Sequence, residues 1–403
     1  MVDGPAYEII GEISRFDERD TVFSREALVP GSAEEIDYHR WNPDLAEVDA
    51  RLSRFIISKM EGGEDVDQLA RAVYESHFIP PAALALPDMV DGEPGPPGIE
   101  WGREDAAARI KEFGRRLGAD DVRIGPLRPE WVYSHKGSRP FFREEYINPP
   151  YFRGIPEDYS GRLYGEKIEL DHPSAISLAF RQDKAMTATG SSRAVDFEVG
   201  RIYALSALVS VQLARFIRAL GWKARAHHLR NYLVLCVPVA VDAGIGELAR
   251  CGYVVSRRLG ANFRLVTVTT DMPLAYDAPV DLGMRDFCSK CEKCAASCPS
   301  GAIPRGDMTE VRGVRKWKLD PEACLLYWGR TGYTCTICQT VCPWTKPDNI
   351  FHRSVATTAV KVPWIRRALV LGDDLVYGAR FRPARLPGWL SAAAGRTRGS
   401  SDR

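Results

Sequence analysis

Eight of the chain's ten cysteines lie between Cys288 and Cys342, in two sets of like spacing. The first set is Cys288-x2-Cys291-x2-Cys294-x3-Cys298-Pro299, and the second is Cys324-x10-Cys335-x2-Cys338-x3-Cys342-Pro343. Thiolates are soft metal ligands. Three closely spaced thiolates on a tight turn can hold three irons of one [4Fe–4S] cubane, while the cysteine before proline points away and reaches a second cubane. The crossed assignment therefore puts Cys288, Cys291, Cys294 and Cys342 on one cluster. Cys324, Cys335, Cys338 and Cys298 hold the other. The competing reading is a pair of zinc sites; zinc ribbons use C-x2-C pairs, but not this triple spacing ending in C-x3-C-Pro, twice over. Cys236 and Cys251 stand outside both sets and read as plain buried thiols.

Two clusters in series form an electron wire. A carrier needs little more than the span from Cys288 to Cys342, yet about 290 residues precede it. That favours an enzyme fed by the wire. The 403 residues allow one large or two to three ordinary domains. Lysine plus arginine number 54 against 53 acids, so no bulk positive charge points to nucleic acid or an anionic membrane. The first residues carry no signal peptide or twin-arginine pair, and the longest apolar-rich stretch, Ile202 to Leu220, contains Gln212, Arg215 and Arg218. It reads as a core helix, with no integral membrane segment expected. The expected setting is the cytoplasm, where cysteines serve metals or catalysis more often than disulfides.

The elements that must position this chemistry are partly periodic. Arg51–Met60 reads as helical, and residues 86–100, with four prolines and three glycines, read as a loop or linker. Ile110, Phe113 and Leu117 mark an amphipathic helix over 104–117, followed by a strand over 121–127. Residues 131–164 are dense in aromatics (among them Trp131, Tyr133, Phe142, Tyr151 and Tyr164) and are expected to pack over the core or line a pocket. Ser174–Phe180 reads as a strand. Ile202, Leu205, Val209, Leu213, Phe216 and Leu220 step by three and four, the clearest helix, closed by Gly221. Lys223–Val241 looks strand-like, and Gly252–Val255 with Phe263–Thr269 looks like a hairpin around Leu259-Gly-Ala-Asn262. His227 and His228, adjacent on a strand, would face opposite ways, one of them to the surface. The arginine-rich tail is expected to be disordered over its last ten residues. The class is α+β.

The residues flanking the cysteines carry a resemblance. Asp242-Ala-Gly-Ile-Gly-Glu-Leu-Ala-Arg250, then Thr270-Asp-Met-Pro-Leu274, then Phe287-Cys288, is similar to the corrinoid-dependent reductases that include epoxyqueuosine reductase and the reductive dehalogenases. Lys316-Trp317, Tyr327-Trp328, Cys342-Pro343-Trp344, Arg15-Phe16, Phe23-Ser24-Arg25, Asp373-Asp374 and Tyr377-Gly378 resemble the dehalogenase branch. The resemblance implies a nitroreductase-like α/β core that binds a corrinoid, followed by a bacterial-ferredoxin-like domain with two [4Fe–4S] clusters. It divides the chain into a region 1–100 covering the core, a corrinoid-binding catalytic domain 101–284, the ferredoxin-like domain 285–347 and an extension 348–403. It implies reductive cleavage of a carbon–halogen bond at a base-off corrinoid; no Asp-x-His-x-x-Gly motif offers cobalt a histidine. Gly244, Ile245, Gly246 and Trp344 would lie against that cofactor, although a plain turn accounts equally for the G-x-G.

In this family a tyrosine donates the proton, helped by an arginine and an amide or amine. Tyr203, expected to open the long helix, matches the tyrosine, and Asn231 in the following strand matches the amide. Arg264 matches the arginine, with Arg257 and Arg258 as competitors. A cation beside a phenol stabilises the phenolate and makes the phenol a better acid. Each of the three also has an ordinary reading, as a buried helix residue, a turn residue and a strand residue. Implied partners are a small organohalide and a separate electron donor such as a ferredoxin or flavodoxin; a homodimer is compatible, and no nucleic acid is expected. Some relatives begin with a twin-arginine leader and others carry a fused flavin/ferredoxin reductase, and this chain shows neither. The alternative is an epoxyqueuosine reductase-like enzyme acting on tRNA, for which Asp196 would take the acid's place.

Overall fold

Apolar side chains alternate along Ser174–Arg181 and Phe263–Thr270, and these two segments form the middle of the main sheet. In the computed structural model, described for residues 7–391 apart from 29, 61–68, 70–71, 74–75, 78–79, 138–163 and 230, a short β1 (Glu8–Ile9) comes first. Helices α1 (Val22–Glu26), α2 (Ala33–Trp41) and α3 (Ala46–Met60) follow, then α4 (Arg103–Arg116) and β2 (Asp121–Pro126). The sheet has the order β2, β3 (Ser174–Arg181), β7 (Phe263–Thr270), β4 (Ala224–His227), with every neighbour antiparallel. Ile176 sits opposite both Ile124 and Val268.

Period-2 alternation gives the sheet two different faces. Ile176, Leu178 and Phe180 pack against Ile110 of α4 and against Ile202, Val209 and Leu213 of α5 (Arg193–Ala219). Ala179, on the other face, packs with Ala240 and Val241 of α6 (Cys236–Asp242). The small residues there admit a very close approach. A Cβ on Gly125 would stand 2.9 Å from Ala243 Cα. The result is helices on both faces of an antiparallel sheet, an α+β layering as expected.

Several local expectations change. The long helix starts nine residues before Ile202, because Ser192 caps it by accepting from Val195 N. Tyr203 therefore lies about three turns inside α5 rather than at its opening. Gly221, at φ +94°, ends it as expected. By length and composition α5 could cross a membrane, but 56 % of its most apolar window is buried, and its stripe faces the sheet. Of the strand-like run 223–241 only Ala224–His227 is a strand. Residues 236–242 form a helix because Pro238 falls in its first turn, where no amide hydrogen is needed, and because its apolar face covers the sheet. The hairpin expected at 252–269 does not form: Val254–Val255 (β6) pairs back with Glu247–Leu248 (β5), while β7 joins the main sheet. His227 and His228 are both fully buried, neither at the surface; His227 Nε2 meets Thr269 Oγ1 at 2.9 Å, and His228 Nε2 meets the Leu84 carbonyl at 3.0 Å.

The cysteine lobe follows. It holds α7 (Met284–Cys291), α8 (Lys293–Ser297), the hairpin β8 (Thr309–Val311) and β9 (Val314–Lys316) with β1 alongside, α9 (Pro321–Thr331) and α10 (Ile337–Val341). Helices α11 (Ile350–Lys361) and α12 (Arg366–Tyr377) close the chain over it, and α12 packs on α7. Most of the aromatics of 131–164, and the last ten residues, lie outside the described residues.

Candidate cluster and catalytic site

Glu292, between Cys291 and Cys294, sits in the left-handed region at φ 49°. That conformation costs a non-glycine residue about 1–2 kcal/mol. It breaks α7 from α8, so Cys288, Cys291 and Cys294 turn around a common centre instead of running along one helix. These three line one void together with Cys342 from the second set, and Cys251 and Cys338 also border it. Cys298, in turn, lies within electrostatic reach of Cys324, Cys335 and Cys338. Each set thus lends its proline-preceding cysteine to the other. All eight thiols are unpaired with one another as disulfides. Burial pushes Cys291 up to about 11 and Cys324 up to about 12, so metal binding must displace protons. Among the described residues no three His, Cys, Asp or Glu side chains converge on one point, as a single zinc ion would require. Thiols spread around a void fit a cluster.

Buried cations fasten the lobe. Arg250, 2 % exposed, donates to the Cys288 carbonyl at 3.1 Å and to the Pro304 and Gly306 carbonyls at 2.9 and 3.0 Å, with its guanidinium 4.4 Å over Trp317. Lys293 is clamped by Asp373 and Asp374 of α12, and Lys346 pairs with Asp373 at 2.6 Å. Arg25 joins Asp49 at 3.0 Å to Glu322 of α9, two residues ahead of Cys324. The Arg25 and Asp373-Asp374 pairs quoted for the dehalogenase resemblance are thus structural fastenings.

The structure brings Tyr203 and Arg264 together: the guanidinium carbon is 5.5 Å from the phenol ring centre. Arg264 is buried, hydrogen-bonds Tyr253 and has a second nitrogen, Nε, without a partner. Its competitors point elsewhere, Arg257 to Thr357 and Arg258 to the Asp120 carbonyl. Burial pushes the Tyr232 and Tyr253 phenols well above their ordinary value, and the Arg264 charge pulls both back. Cys338 lies within electrostatic reach of Arg264 and Tyr253, so this cluster of side chains adjoins the second cysteine set. Tyr232 and Tyr253 went unnoticed in the sequence. Their only signal is position, next to Asn231 and inside the 252–255 stretch. Asn231 is committed to other partners; its Nδ2 donates to the Ala85 carbonyl at 2.6 Å, and its Oδ1 accepts from Arg225 at 2.6 Å. Asp196 is a buried anchor that accepts from Thr334 N at 2.8 Å, just ahead of Cys335.

Between sheet end and α10 runs a polar seam. Asn262 Nδ2 donates to Thr187 Oγ1 at 3.0 Å, and Thr336 Oγ1 donates to the Thr187 carbonyl at 3.0 Å. Both polar side-chain atoms of Gln182 and of Gln339, with Asn262 Oδ1 and Trp344 Nε1, are buried without partners. Burying such groups unpaired is costly. They suit a large cofactor rimmed with amides. Gly244 and Gly246 behave differently. A Cβ would stand 2.3 Å from the Ala278 carbonyl oxygen at Gly244 and 2.1 Å from the Val255 carbonyl oxygen at Gly246. The close approach they permit is to the chain's own backbone, and Ile245 packs in the core with Ala179 and Phe263.

Comparison with known proteins bears out the resemblance. A family model described as a 4Fe–4S dicluster domain matches residues 287–346. The chain is 32 % identical over 310 residues to the tetrachloroethene reductive dehalogenase of Dehalobacter restrictus, covering 69 % of this chain and 55 % of that protein. It is 30 % identical over 289 residues to the tetrachloroethene reductive dehalogenase of Sulfurospirillum multivorans, covering 67 % and 56 %. The solved structure of the catabolic reductive dehalogenase NpRdhA superposes with a TM-score of 0.73 at 26 % identity, over 94 % of this chain and 48 % of that one. An epoxyqueuosine reductase of Aliivibrio fischeri matches at 31 % identity, over 29 % of this chain only. The chain spans about half the length of the reductive dehalogenases it matches.

Proposed function

We propose that the chain is a reductive dehalogenase that replaces a carbon–halogen bond of a small organohalide with carbon–hydrogen. The observation that carries this is the Arg264 guanidinium held over the Tyr203 phenol, within electrostatic reach of Cys338 of the second cysteine set. Two [4Fe–4S] clusters, bound crosswise by the eight cysteines, would supply single electrons, and a base-off corrinoid would supply the reductive carbon–halogen cleavage. Gln182, Asn262, Gln339 and Trp344 are the residues whose unpaired polar atoms would hold the corrinoid's amides.

The chain's own part is the proton. Two electrons and one proton convert the carbon–halogen bond into carbon–hydrogen and free halide. Tyr203 donates from its hydroxyl to the carbon, and Arg264 stabilises the phenolate left behind. Tyr232 and Tyr253 lie within electrostatic reach of both Tyr203 and Arg264. The electrons come from a separate donor such as a ferredoxin or flavodoxin. Residues 101–284 serve as the catalytic part and 285–347 as the wire.

Anaerobically reconstituted protein is expected to bind about eight irons and one corrinoid. Tyr203→Phe is expected to abolish halide release while leaving both contents unchanged. Turnover retained by that variant removes Tyr203 from the mechanism, and four irons without corrinoid removes the reading itself.

A further inference from the structure

Apolar side chains that leave a core do so singly as a rule, and a gathered patch marks a binding surface. On the two closing helices they gather. Leu371 and Leu375 lie four apart on one face of α12, turned away from Leu369 and Val370, which pack inward with Phe287 and Cys288. The Tyr377 hydroxyl meets His352 Nε2 at 2.7 Å, which sets the start of α11 beside the end of α12. Ile350, Phe351, Leu375 and Val376 share that end, each 67 to 88 % exposed. The border is basic. Residues 350–391 hold seven lysines and arginines against two acids, in a chain whose overall charge is +1. Both acids, Asp373 and Asp374, already pair with Lys293 or Lys346. Arg367, Arg380, Arg382 and Arg385 are exposed and enter no ion pair among the described residues. Behind the patch stands the first cysteine set. Helix α12 packs on α7, which carries Cys288 and Cys291, so one helix thickness, about 10 Å, separates them from the exposed face. Phe381 N, between Arg380 and Arg382, donates to Ser297 Oγ at 3.1 Å, next to Cys298. The second set is tied to the other side of the molecule. Thr334 N, beside Cys335, donates to Asp196 of α5, the helix of Tyr203, and Thr336 Oγ1 donates to the Thr187 carbonyl.

We infer that the exposed end of the α11–α12 pair is the docking surface of the electron donor, a small protein with an acidic border around its redox centre. The inference rests on the dehalogenase reading above, in which a separate donor feeds the clusters. Electrons then enter at the patch, reach the first set, pass to the second and arrive beside Tyr203. An apolar centre excludes water from the contact, and a charged border steers the encounter and sets its register. A second copy fits this surface less well, because a two-fold contact would press two faces of the same sign together. A lipid surface would answer the charge but delivers no electron to Cys288. The step balances simply. One electron leaves the reduced iron of the carrier and enters a cubane, and no bond is made or broken.

The test mixes the anaerobically reconstituted holoenzyme with a reduced, acidic plant-type [2Fe–2S] ferredoxin and follows cluster reduction by stopped flow, with dithionite as the small reductant for comparison. The ferredoxin is expected to reduce the unaltered protein, and to do so about tenfold more slowly in roughly 500 mM salt than in roughly 50 mM. Leu375→Asp, and Arg380→Glu combined with Arg382→Glu, are each expected to slow the ferredoxin about tenfold. Both keep about eight irons and their rate with dithionite, and Arg116→Glu on the distant helix α4 leaves both rates unchanged. Ferredoxin rates unmoved in the two patch variants overturn the inference alone. So does a ferredoxin that fails to reduce the unaltered protein while dithionite succeeds. A dimer that Leu375→Asp splits, with the ferredoxin rate unmoved, assigns the patch to a second copy and overturns it. Binding to vesicles of phosphatidylglycerol and phosphatidylcholine, lost in the variants with the ferredoxin rate unmoved, assigns the patch to a membrane and overturns it likewise. Four irons in the unaltered protein overturns the two-cluster reading and the inference with it.

Discussion

Between β2 and β7 the inward side chains are apolar, and the sheet is covered by helices on both faces. Between Cys288 and Cys342 the elements are short, the centre is a void lined by thiols, Arg25 and Arg250 reach in from outside to Glu322 and the Cys288 carbonyl, and Lys293 reaches out to Asp373. The sheet needs nothing but its own residues to fill its core. The cysteine lobe leaves space that no side chain of the protein occupies, and its scaffold is anchored from outside that space. One region is built to be complete, the other to receive.

Removing a cluster ligand tests that contrast most severely. Cys298→Ala is expected to lower the iron content from about eight to about four and to abolish halide release, while amides of β3 and β7 keep their slow hydrogen exchange. Exchange speeding up throughout the sheet would break the contrast, because the two regions would then unfold as one. In the opposite direction, Phe180→Ala removes a fully buried ring from the sheet face. It is expected to cost about 3–5 kcal/mol of unfolding free energy. Urea unfolding should show that loss with the iron content unchanged, and a loss of iron in step with it would blur the distinction.

Acid sharpens the comparison with a smaller effect. His228 is buried and held down to about 4, chiefly by desolvation, and burial likewise depresses His172 and, further, His227. The unfolded chain binds these protons near pH 6.5, and the folded chain resists them. Stability is therefore full above about pH 6.5 and falls as the pH drops from there toward about 4, His228 alone accounting for about 3 kcal/mol. All three imidazoles meet the sheet region, at Thr269 or at Leu84. Urea midpoints at pH 7.5, 6 and 5 should decline in the unaltered protein and decline less in His228→Gln; parallel declines would remove His228 as the cause.

What could be read in the sequence follows the same divide. The cluster cysteines were legible because iron chemistry fixes ligand type and spacing within a few residues. The long helix is legible because burial of one face imposes a period, and β3 because small and large side chains alternate between its two buried faces. Residues 236–242 were not, since an unbroken apolar run has no period and Pro238 is tolerated only because of where the helix begins. β7 was misassigned for another reason. Its partners lie about 90 residues earlier in β3 and about 45 earlier in β4, and no turn between them announces the pairing. At the candidate site Tyr203 and Arg264 were legible from the resemblance. Tyr253 was not, because only the folding of β6 against β5 brings it to Arg264.

The tie between Arg25 and Glu322 has a consequence for how the chain is made. The two residues are 297 positions apart. At ribosomal rates of about 5–20 residues per second, Arg25 emerges roughly 15 to 60 s before the carboxylate that completes its clasp. Asp49 can neutralise it early, within the first few seconds. The helix bearing Cys324 can be fastened only after Glu322 has been made, so iron loading at Cys324 follows synthesis of the whole sheet, whose last strand ends at Thr270.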